Sequence, residues 1–204
     1  MEFIAMDRYL SILLCLFTLA SCARQEQVSF TGEELALIGG SPEVMRVLTV
    51  GQRADSLILR GNCSELTAAD IRSEAFVELG SKMISTLTSP EQDGVGIAGP
   101  QVGISRRIIA VQRFDKEGEP IMVYANPRIE EVRGERIPGP EGCLSVPGCR
   151  GEVPRWQDIT VSYSVLDENG DLSTVRERVE GFTAVIFQHE TDHLDGIIYT
   201  DRIQ

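Results

Sequence analysis

The chain has 204 residues, 42% of them hydrophobic and 25% charged, the proportions of one folded domain with a real core; collagen-like, disordered and multi-domain architectures are excluded. Thirty-one acidic against nineteen basic residues give a formal net charge of -12, which repels phosphate backbones and anionic surfaces on average and argues against a nucleic-acid partner. Nineteen glycines and nine prolines between short apolar runs predict many turns and short strands, so the expected fold class is α+β, with short antiparallel sheets packed around a C-terminal helix.

At the amino terminus, Tyr9 to Ala20 is an apolar run too short for the roughly 20 residues of a spanning helix and reads as a signal-peptide core behind Arg8. It ends in Leu19-Ala20-Ser21-Cys22, which resembles a bacterial lipoprotein signal. The expected plan is a signal over residues 1–21, a tether over 22–43 (polar from Gln25 to Pro42) and a catalytic domain over 44–204, with Met1 or Met6 as the start. Contact with a membrane is expected only through a lipid anchor on Cys22, on the periplasmic or exterior side; the alternative is a cytoplasmic chain. Cys63, Cys143 and Cys149 remain in the folded part, and three cysteines make no disulfide framework.

Val47 to Val50 reads as a short strand, and Thr67 to Leu87 carries apolar residues at helical spacing behind Thr67 as N-cap. A glycine-rich turn follows from Asp93 to Gln101. Strands are predicted over Arg107 to Gln112, Met122 to Asn126, Ile129 to Arg133 and Thr160 to Leu166, the last closed by a turn at Glu168 to Asp171. Phe182 to Leu194 is a helix with one buried face, to which His189 and His193 belong.

That helix carries the strongest chemical signal, Gln188-His189-Glu190-Thr191-Asp192-His193. Residues four apart share a face, so two imidazoles can grip one metal ion with Glu190 beside it as a base. A catalytic site of this kind needs a third protein ligand and an open position. Cys143, in the glycine- and proline-framed segment Pro140 to Gly148, can present a thiolate at a fixed angle. The glycine-rich segment lacks the ending of a phosphate-binding loop; its glycines suit close backbone approach to a substrate, and Gln101 is a candidate amide donor.

Together the three segments resemble the peptide deformylases, whose motifs are G-hydrophobic-G-x-A-A-x-Q, E-G-C-hydrophobic-S and Q-H-E-x-D-H. All three occur in order, within a likeness running from about Val44 to the carboxyl end. Gly99 replaces an alanine of the first motif, a change expected to loosen that turn while leaving Gln101 in place. The resemblance implies one divalent ion, Fe²⁺ with Zn²⁺, Ni²⁺ or Co²⁺ as substitutes, held by Cys143, His189 and His193. It implies Glu190 as general base and acid, and Gln101 with the Leu144 backbone N–H as donors to the carbonyl oxygen. Val95, Phe182, Val185 and Ile186 match positions of the methionine pocket, and Gly96, Glu141 and Arg150 positions near the peptide. The expected activity is hydrolysis of the formyl amide of N-formylmethionyl peptides by a monomer. Another type of HExxH peptidase would need a third His or Glu after His193, and none occurs there; a non-catalytic metal- or peptide-binding lipoprotein would not need Glu190.

Overall fold

A computed structural model describes residues 29–92 and 94–203. Five strands run in sequential order through one antiparallel sheet: β1 (Gly96–Ala98), β2 (Ile108–Gln112), β3 (Ile121–Cys143), β4 (Val146–Leu166) and β5 (Leu172–Glu180). The helices are α1 (Gly32–Gly40), α2 (Arg53–Leu59), α3 (Ala68–Arg72), α4 (Glu74–Leu87) and α5 (Gly181–Leu194). Alternation along the inner strands sets the layers. Ile97, Ile108 and Ala110 pack with Leu79 and Met83 of α4, whereas Ala98, Ile109 and Val111 pack with Ala184, Ile186 and Phe187 of α5. Both faces of β2 are therefore covered, which is why it reads as an unbroken apolar run rather than an alternating one.

The structure bears out the α+β class and corrects several boundaries. The helix predicted over Thr67 to Leu87 is two helices, because Ser73 closes α3 and opens α4 from an extended backbone at φ -75 and ψ 150. Its hydroxyl donates to the Asp70 carbonyl at 2.6 Å and accepts from the Phe76 N–H at 3.2 Å. Met122 to Asn126 and Ile129 to Arg133 fuse into β3. Pro127, which has no N–H to give the ladder, is absorbed by a register shift between Ala125 and Arg128, with Asn126 at φ 52. Thr160 to Leu166 is the far end of β4. Val47 to Val50 belongs to no strand and ends in a turn at Val50; Leu48 donates to the Gln101 carbonyl at 2.8 Å and Val50 to that of Ser145 at 3.0 Å, lashing together two segments of the site described below.

The larger correction concerns the tether. From residue 29 onward the chain packs against the domain. Thr31 and Glu34 form a reciprocal capping box at the start of α1, with bonds of 3.1 and 2.8 Å, and Phe30 and Ile38 enter the core beside Met83 and Ile104. Arg106 forks onto Glu34 at 2.9–3.1 Å, the Ser29 hydroxyl and N–H each reach Asp70 at 2.6 Å, and Lys82 donates to the Ser41 carbonyl. Leu35, Leu37 and Ile38 of α1 make no helical apolar stripe, and of the three only Ile38 is buried, so the spacing does not read as a buried helix face. Residues 1–28, with the expected signal and Cys22, lie outside the described residues. Among those described, no helix is long and apolar enough to cross a membrane.

Candidate metal centre and active site

The site is built where the β3–β4 hairpin tip meets α5. β3 ends at Cys143 and β4 begins at Val146, so Leu144 and Ser145 form a two-residue turn after a register shift between Gly142 and Cys143. The turn holds the sulfur fast, since the Ser145 N–H lies 3.4 Å from Cys143 Sγ. On the other side, the Gln188 amide clamps the Trp156 backbone, accepting from its N–H at 3.1 Å and donating to its carbonyl at 2.7 Å, which fixes α5 against β4. His189 and His193 then present rings with centroids 5.0 Å apart. One ligand atom each from Cys143, His189 and His193 lies within 4.8 Å of the others, and Cys143 Sγ is 3.2 Å from His193 Nε2. A thiolate with two imidazoles is the donor chemistry of a borderline-soft divalent transition ion, so the residues fit the group the motifs imply.

Glu141, expected near the peptide, also braces a neighbouring ring in the structure. It lines the cavity, but its carboxylate accepts from Arg155 Nε at 2.7 Å and Nη2 at 3.0 Å and faces His189 Nδ1 at 2.8 Å. This grip orients the His189 ring, an arrangement of the kind that carboxylates provide behind metal-binding imidazoles. Arg155 continues to Asp192 at 2.5 Å, and Arg202 clasps the same carboxylate with two bonds of 2.5 Å. Burial opposes the charge on Glu141, yet the His189 and Arg155 bonds hold its carboxyl below the usual range. Burial likewise opposes a charge on His189, but bonds to Cys143 and Glu141 outweigh it and raise its pKa to about 10; His193, buried beside His189, is lowered.

Glu190 is 4% exposed, its Oε2 has no hydrogen-bond partner among the described residues, and burial pushes its pKa up to about 7 before any ion adds its charge. Its carboxylate lies against Gly96, where a Cβ would sit only 2.4 Å from Oε1. Gln101 spends its carbonyl on the Ala98 N–H at 2.8 Å and points its NH₂ towards Ser145 Oγ at 3.2 Å and Cys143 Sγ at 3.6 Å. The turn at Gly99 is tight rather than loose: a Cβ there would meet the Ile104 and Arg106 carbonyls at 2.7 and 2.8 Å, so the departure from alanine matches a closer approach of the following loop.

A cavity of about 830 Å³ gathers every predicted site residue except His193, which is 1% exposed behind the other ligands. Val95, Phe182, Val185 and Ile186 supply its apolar lining, and Gly96, Gln101, Leu144 and Arg150 line it together with Cys143, His189 and Glu190. Sequence reasoning missed Ser145, Arg155 and Asp192 as supports. Asp192 carried a usable signal, since a carboxylate between two histidines on a buried helix face requires a cation.

A family model for polypeptide deformylase matches residues 44–204. A peptide deformylase of Halothermothrix orenii is 40% identical over 159 residues, covering 78% of this chain and 95% of its own. The class I type b peptide deformylase of Acinetobacter baumannii, solved with Met-Ala-Ser bound, superposes with a TM-score of 0.66 at 37% identity, covering 78% of this chain and 98% of that one. The Thermotoga maritima peptide deformylase gives 0.65 at 34% identity, covering 79% and 98%. With sequence and backbone agreeing over the whole domain from residue 44 onward, the chain belongs to the polypeptide deformylase family, metallohydrolases that remove N-formyl groups.

Proposed function

We propose that Cys143, His189 and His193 hold one divalent ion, Fe²⁺ in the natural protein with Zn²⁺, Ni²⁺ or Co²⁺ as substitutes, and that peptides beginning with N-formylmethionine are the substrates. The observation that carries this reading is the buried Glu190 carboxylate, its Oε2 unpartnered among the described residues, beside a sulfur and two imidazoles in a cavity with an apolar wall. A bound ion would supply Lewis acidity and lower the pKa of water towards neutrality. Glu190 takes the proton of the attacking water and passes it to the departing amine, a role suited to a carboxyl poised near neutral pH. The Gln101 NH₂ and the Leu144 N–H donate to the formyl oxygen as negative charge builds on it, and one such donor contributes about 3–4 kcal/mol in the transition state. Val95, Phe182, Val185 and Ile186 receive the methionine side chain, while Gly96 and Arg150 flank the peptide. Glu141 acts through His189. All these residues come from one chain, so a monomer suffices.

The products are formate and a free α-amine. The test is formate release from formyl-Met-Ala-Ser by protein loaded with Fe²⁺ or Ni²⁺, with occupancy verified by elemental analysis; fully loaded protein without turnover would replace this reading with that of a non-catalytic binding protein. We also propose that residues 1–21 are removed and that Cys22 bears a lipid holding the enzyme on the outer side of a membrane. Palmitate labelling of the wild type, lost in Cys22→Ala, supports this, and an unlabelled wild type refutes it in favour of a cytoplasmic enzyme.

A further inference from the structure

Away from the ligand stripe, Gln188, Thr191, Asp192 and Asp195 follow the i, i+3, i+4, i+7 spacing of another face of α5 and its end, and line a separate cavity of about 320 Å³ against β3 and β4. Five arginines and two aspartates line it, in a chain whose overall charge is -12. Arg107 pairs with Asp195 at 2.6 Å, Arg155 and Arg202 share Asp192, and Arg128 reaches the exposed Glu65 from outside the cavity. Arg136 has no hydrogen-bond or ion-pair partner among the described residues; its guanidinium stands 6.0 Å above the Trp156 ring, which holds it without neutralising it. The wall itself carries unsatisfied polarity, because Arg107 Nε and Thr191 Oγ1, both out of contact with solvent, have no partner among the described residues.

We propose that this cavity binds a phosphate-type oxyanion, free or carried by a small phosphorylated molecule. Guanidinium forks match such an ion in pairs of parallel N–H bonds, and forks approaching from β3 and from the carboxyl-terminal segment suit a tetrahedral anion better than a planar carboxylate. Arg136 and Arg128 provide the outer contacts, and Arg202 and Arg107 the inner ones. The cavity shares no lining residue with the metal-centre cavity and adjoins it through Gln188, Trp156, Arg155, Asp192 and Arg202.

Calorimetric titration of the metal-loaded protein with inorganic phosphate, at ionic strength held constant with sodium chloride, tests the proposal. One saturable site is expected, weakened at least fivefold by Arg136→Gln and by Arg128→Gln, both exposed substitutions that leave formate release in phosphate-free buffer unchanged. Heat no different from that of chloride overturns it. So does phosphate binding that both variants retain at full affinity, the signature of an ion seated on the metal instead. Glycerol 3-phosphate distinguishes the sources: tighter binding than inorganic phosphate points to a phosphorylated molecule, weaker binding to the free ion.

Discussion

Replacing Gly96 by alanine perturbs the base without touching a ligand. The new Cβ would lie 2.4 Å from Glu190 Oε1 and 2.8 Å from its Cδ and Cγ, where ordinary contact begins near 3.4 Å, so the carboxylate must retreat by about 1 Å. A displacement of that size costs on the order of 100-fold in rate, equivalent to about 2.7 kcal/mol of transition-state stabilisation. The obstacle is the end of a side chain that can turn aside, so the cost to folding is nearer about 1 kcal/mol, or roughly 2–4 °C in melting temperature. Gly96→Ala is therefore expected to keep its metal, fold normally and lose kcat far more than it changes KM. Steady-state formate release, elemental analysis and thermal unfolding together read this out. A variant with wild-type kcat would show that Glu190 does not need the position it occupies, and the role assigned to it would fall.

Glu190→Gln should retain the ion and lose several orders of magnitude in kcat/KM, because the amide fills the space but carries no proton; near-normal turnover contradicts the role. Cys143→Ser exchanges a thiolate for a neutral hydroxyl, so the metal should be lost on dialysis that leaves the wild type loaded. Glu141→Ala leaves the buried Arg155 with Asp192 as its one carboxylate and frees His189, with an expected loss of about 1–3 kcal/mol in chemical unfolding and a 10–100-fold weaker metal affinity; unchanged affinity would separate it from the centre. For the segment ahead of the family match, burial opposes ionisation of Asp70, but bonds from Ser29 and Thr67 hold its carboxyl below the usual range. Its contribution is present above the unfolded carboxyl's pKa and fades as pH falls through the lower folded value. Asp70→Asn should flatten the acid limb of the stability profile measured by denaturant titration, and an unaltered limb would dismiss that anchor.

The chemistry was legible because its residues are local patterns: the two histidines four apart, Glu190 between them, Cys143 behind Glu141-Gly142. Their convergence was legible only through the family resemblance, since spacing within a helix says nothing of a sulfur 50 residues upstream of His193. The supporting charges escaped notice for the same reason. Arg155 and Glu141 meet across the β3–β4 ladder, 14 residues apart in the chain, and both lie in the distal hairpin between Arg133 and Thr160, where the sequence predicts no strand. The break at Ser73 was hidden because the apolar spacing continues across it, and α1 because only Phe30 and Ile38 of its neighbourhood enter the core.

Because the hairpin tip and the final helix supply the donors, no stretch of nascent or denatured chain can assemble the metal pocket by itself. With the proposed ligand set, the full donor geometry exists only once strands have paired and the helix has docked, so tight ion binding and folding are thermodynamically coupled. Stoichiometric loading then serves as a census of correctly finished molecules, and the apo protein should unfold at a lower temperature than the loaded one.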